Sequence, residues 1–94
     1  MVNDQKKYSR HEMADMFIKI ANDLTEDESV ERISSAFLYA AARFNAFEAA
    51  SKSKHLKKDK EDVMQWFIKE YQRMLDVNID EYVESLGKSN YHPN

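Results

Sequence analysis

Three histidines, His11, His55 and His92, and no cysteine limit what this 94-residue chain can do with a metal or a nucleophile. His11 with Asp15, and His55 with Asp59, have the one-turn helical spacing of a two-ligand metal pair. No second pair completes either set, so neither a metal nor a cofactor is expected. The absence of cysteine removes thiolate sites, disulfides and cysteine nucleophiles together. A single glycine excludes a glycine-rich phosphate loop, and no Ser or Thr lies in a nucleophile motif. Glu48 and Glu70 could form a carboxylate pair inside a helical bundle, but the Glu-x-x-His spacing of di-iron bundles is missing. The expectation is a protein that is not an enzyme, with no catalytic residue.

Arg43 is the most informative polar residue. It lies in Tyr39-Ala-Ala-Ala-Arg43-Phe44-Asn45-Ala-Phe47, with Tyr39 and Phe47 one turn to either side, where two rings could sandwich a guanidinium. A partly buried arginine needs an anion, because an unpaired buried charge is expensive. Antiparallel helix packing makes Glu70, and Asp15 or Glu12, the candidate partners. The main expectation is a tether between helices. The alternative is a small-anion binder, or an enzyme, with its site around Arg43.

Two charged stretches mark the connections. Asp23 to Glu31 holds five acids and no base, and Thr25 with Glu28 has the capping-box spacing, so a second helix is expected to start there. Lys52 to Lys60 holds five lysines, His55 and one acid. Nucleic acid could use that patch, giving a nucleic-acid accessory protein as a second alternative. The chain is acidic overall, at a formal charge of −3, and no aromatic residue interleaves the lysines, which argues against nucleic acid as a partner.

The elements that carry these residues are helices. One glycine and one proline leave little turn punctuation, which argues against an all-β fold. Ser9 and Glu12 form a capping box ahead of Met13, Met16, Phe17, Ile20, Ala21 and Leu24, one apolar stripe of about four turns. The second helix carries Val30, Ile33, Phe37, Ala40, Phe44 and Phe47 as its seam, and twelve of the fifteen residues from Ala36 to Ala50 are apolar. A third helix begins near Lys57 or Asp59, with Val63, Met64, Phe67, Ile68, Tyr71, Met74 and Leu75 on its stripe and Ile79, Tyr82, Val83 and Leu86 extending it. Gly87 is a natural stop. Unbroken, that helix would be about 45 Å long, against about 32 Å for a compact domain of this size. Asn78 with Glu81 has another capping spacing, so a break near Val77–Asn78 is expected.

The resulting expectation is an all-α up-and-down bundle of three helices, the last broken into a short fourth. It fills a single domain over residues 9–87, between a flexible N-terminus (1–8) and a flexible tail (88–94). The longest apolar run, Ala36 to Ala42, is far short of a membrane span, and no apolar stretch follows the lysines of the first seven residues. No membrane and no signal peptide are expected, and the cytoplasm is the default location.

Leu38, Ala41, Ala42, Asn45 and Ala49 lie on one side of the second helix. Small side chains let helices approach closely, and an asparagine among them can pair across a symmetric contact. This surface is expected to form a homodimer, and the functional expectation is a self-associating protein–protein interaction module. Trp66 lies off the centre of the third stripe, where it could serve the core or an interface.

Three strings carry a family resemblance: Phe17-Ile18-x-x-Ala21-Asn22, Tyr39 to Phe47, and Tyr71-x-x-Met74-Leu75-x-x-Asn78-x-Asp80-x-Tyr82. Over roughly Phe17 to Val83 the chain resembles the proteobacterial family known as domain of unknown function 3144. The resemblance implies a bacterial, helical, uncharacterised protein with Arg43, Phe44 and Asn45 as its signature. It implies no activity, cofactor or partner.

Overall fold

Ser9 opens the first helix as its spacing predicts. Its hydroxyl accepts the Glu12 backbone N–H at 3.1 Å while Glu12 Oε1 accepts the Ser9 N–H at 2.7 Å, which satisfies two donors that the helix itself cannot. These contacts come from a computed structural model, which describes residues 7–89, with side chains through residue 87. Helix α1 runs Arg10–Leu24, α2 Val30–Lys52 and α3 Leu56–Ser89. Short connections at 25–29 and 53–55 join them in the order of an up-and-down all-α fold. Residues 1–6 and 90–94, most of the two expected flexible ends, lie outside the described residues.

The first connection differs from its expectation. Thr25 does not begin the second helix; it ends the first, donating its hydroxyl to the Asn22 carbonyl at 2.6 Å and its N–H to Asn22 and Asp23. Ser29 starts α2 instead, with its hydroxyl accepting the Arg32 N–H at 3.2 Å. The orphan carbonyls at the end of α1 lie within reach of the threonine and claim it, leaving the serine directly before the apolar Val30 to cap. Arg32 also pairs with Glu28 at 2.8 Å across one turn.

The second connection is a compact hydroxyl-centred turn. The Ser53 hydroxyl accepts the His55 N–H at 3.1 Å and donates to Asp59 Oδ2 at 2.7 Å, and the Asp59 N–H donates to the His55 carbonyl at 3.0 Å. The carboxylate stands in the first turn of α3, where the helix dipole favours it.

The expected break in the third helix is absent: α3 is continuous for 34 residues, about 51 Å at 1.5 Å per residue, and there is no fourth helix among the described residues. Asn78 does not cap a new helix. Its Nδ2 donates back to the Met74 carbonyl at 2.8 Å, and with no Pro or Gly between Leu56 and Leu86 nothing else interrupts the ladder. Gly87 does not stop it either, since α3 continues to Ser89.

Two compact units meet inside α2, one ending at Glu48 and the other beginning at Ala49. In the first, Ile33 is the buried residue and Ala21, Phe37, Asn45 and Glu48 are half-buried. In the second, half-buried side chains run from Ala49 to Glu70, and every side chain from Tyr71 to Gly87 is exposed.

Two outcomes test these ends. A Cβ added at Gly87 meets nothing within 4 Å, so Gly87→Ala is expected to stabilise the protein by up to about 1 kcal/mol in urea unfolding; a loss would contradict a helical, unobstructed glycine. The hydrogen bonds from Ser9, first the backbone and then the hydroxyl, hold the Glu12 carboxyl below its ordinary value of 4.5. Because the folded value is the lower one, the contribution of this cap is complete above 4.5 and is lost as pH falls through the lowered value. NMR titration is expected to show Glu12 below its ordinary value, with Ser9→Ala moving it only part of the way back up, because the larger contribution comes from a backbone N–H that alanine keeps.

Candidate functional site

Arg43 and its neighbours sit on the C-terminal half of α2, where the backbone is regular and alanine-rich. The guanidinium lies over the Tyr39 ring, 5.9 Å from its centroid. Phe47, expected as the second face of a sandwich, is engaged instead with Phe44 at 5.7 Å between centroids and a 49° tilt. Arg43 is exposed, not partly buried. The expected anion also has another partner: Glu70 Oε1 accepts from Arg73 at 2.8 Å on its own helix, and this hydrogen bond, with the charge behind it, raises the pKa of Arg73. Arg43 with Tyr39, and Glu70 with Arg73, each meet within one helix, as residues three or four apart do.

The aromatic members of this stretch face outward. Tyr39 is 64% exposed, Phe44 68% and Phe47 65%, although Phe44 and Phe47 continue the apolar seam of Ile33 and Phe37. On the side expected to form a dimer contact, Leu38, Ala41 and Ala42 are exposed, whereas Asn45 and Ala49 are half-buried.

The candidate metal pairs have structural roles or none. His55 and Asp59 belong to the Ser53-centred cap, which already uses the carboxylate. His11 and Asp15 are exposed on α1. No group of three or more His, Cys, Asp or Glu side chains among the described residues could hold a metal ion. The five lysines gather at the second connection, with Lys54 exposed within it and Lys57, Lys58 and Lys60 exposed at the start of α3. Lys57 and Lys58 stand in the first turn of α3, where the dipole disfavours cations and Asp59 offsets them.

The structure reveals a surface that was not singled out as a site in the sequence. On α3, Met64, Ile68, Tyr71, Leu75, Ile79, Tyr82 and Leu86 recur at spacings of three and four, and all seven are exposed. At about 100° per residue they fall within a band about 80° wide. The half-buried Val63, Phe67 and Glu70 lie on an adjoining face. Periodicity merged the two faces into one stripe; only burial separates them. Trp66, 60% exposed, is on the far side and stacks edge-to-face on Phe67 at 5.0 Å.

Residues 11–83, most of the chain, match the family described as Protein of unknown function (DUF3144). Neither the curated proteins nor the solved structures give a match. No described helix is long and apolar enough to cross a membrane.

Arg43→Met is expected to change stability by no more than about 1 kcal/mol, the scale of an exposed cation–π contact. A loss of about 3–5 kcal/mol in chemical unfolding would instead reveal a buried, paired charge.

Proposed function

We propose that this chain, which belongs to the DUF3144 family of proteins of unknown function, is a self-associating helical interaction module. One observation carries the reading. Three amphipathic helices hold 23 large apolar or aromatic side chains at 37% exposure or more, while Ile33 is the buried apolar residue among the described ones. Scattered exposed apolar residues are ordinary, but contiguous apolar faces of this kind mark interaction surfaces. The chemistry for another role is sparse: the histidine–carboxylate pair at 55 and 59 is a cap, and Arg43 rests on its own helix's tyrosine.

The exposed residues of the small-residue side of α2, Leu38, Ala41 and Ala42, are one surface such a module offers, with Asn45 and Ala49 at its half-buried margin. Association would remove exposed apolar surface from water, which is the dominant favourable term in most protein–protein contacts.

Sedimentation of the full chain at micromolar concentration is expected to give a dimer or larger species. The thermal unfolding midpoint should rise with protein concentration, as mass action requires. A monomer with a concentration-independent midpoint overturns the reading.

A further inference from the structure

We propose that two copies of this chain pair antiparallel through the exposed stripe of α3, about a twofold axis at Leu75. The proposal rests on self-association as read above and assigns it to a specific seam, on a different helix from the small-residue side of α2.

The stripe is continuous and free of charge. From Met64 to Leu86 the residues bordering it are Gln65, Phe67, Gln72, Asn78, Val83 and Ser85. Every charged residue in that span (Lys69, Glu70, Arg73, Asp76, Asp80, Glu81 and Glu84) lies about 100° or more around the helix from the centre of the stripe. A solvated helix face of this length would carry charge. Depletion of charge around an aromatic and aliphatic centre is the composition of an interface core.

Area and symmetry indicate the occupant. From their fractional exposures, which range from 37% to 71%, the seven stripe residues present roughly 700 Å² on typical residue areas. That is close to the roughly 800 Å² each partner contributes to a standard-size interface. With no charge at its margin, the face has nothing to select or orient a foreign partner, whereas it complements itself. Centred on Leu75, antiparallel pairing sets Met64 against Leu86, Ile68 against Tyr82 and Tyr71 against Ile79, so the whole stripe, about 33 Å long, is covered at once. A parallel pair would instead bring Lys57 against Lys57 and Lys60 against Lys60 where the stripe continues towards the start of α3. Like charges placed opposite each other oppose that arrangement.

The chain has no cysteine, so single-cysteine variants report the geometry directly under mild oxidation. A disulfide requires Cα atoms within about 7 Å. Leu75→Cys is expected to cross-link to itself in most of the protein. Met64→Cys and Leu86→Cys are each expected to remain uncross-linked alone and to form the mixed dimer when combined. Leu75→Glu, which would place two carboxylates at the axis, is expected to raise the dissociation constant at least tenfold, with the helical circular dichroism of the chain retained. Self-cross-linking at all three positions would mean a parallel pair and overturn the proposal. So would a dimer in which Ala42→Cys cross-links and Leu75→Cys does not, although self-association would then stand. A monomer at micromolar concentration overturns both.

Discussion

An amphipathic helix is held in place by whatever removes its apolar face from water, and in this chain that constraint governs everything else. Isolated helices of 15 to 34 residues gain little from propensity alone. Ile33 and its half-buried neighbours Ala21 and Phe37 supply a small apolar contact in the first unit. In the second, Val63 and Phe67 do the same over the first four turns of α3, and from Tyr71 onward every described side chain is exposed. The helices therefore depend on their ends and on whatever meets their remaining faces.

The start of α1 and the two connections are built without glycine or proline. Ser9, Thr25, Ser29 and Ser53 each direct a hydroxyl at backbone groups left over where a helix starts or stops. One residue in each place can satisfy either the carbonyls behind it or the N–H groups ahead of it, and proximity decides which. Thr25 shows the competition: its spacing to Glu28 suits a helix start, but its hydroxyl donates to the Asn22 carbonyl behind it. Asp59 adds an acid to the first turn of α3 and so offsets part of the lysine charge gathered there.

Most of the local structure was legible in the residues. Helical class, the capping box at Ser9 and a connection in the Lys52–Lys60 stretch all follow from short-range chemistry, and short-range chemistry is what a sequence encodes most directly. The unbroken α3 was not legible, because Asn78 can cap or bond backwards, and only the conformation of its neighbours chooses between them. The exposure of Arg43 was not legible either. Its type and spacing implied a ring and an anion, and its own helix supplies the ring at Tyr39, while Glu70 takes Arg73.

By itself, the sequence determined that this chain is helical, where the first helix begins, which residues are apolar on each turn, and that no thiol or glycine-loop chemistry is available to it. Only the tertiary structure decided which of two adjoining apolar faces on α3 is half-covered and which is left to water. Periodicity records that a side chain is apolar and how it is phased around its helix. Whether that phase meets another surface depends on residues distant in the chain, and no local pattern carries that information.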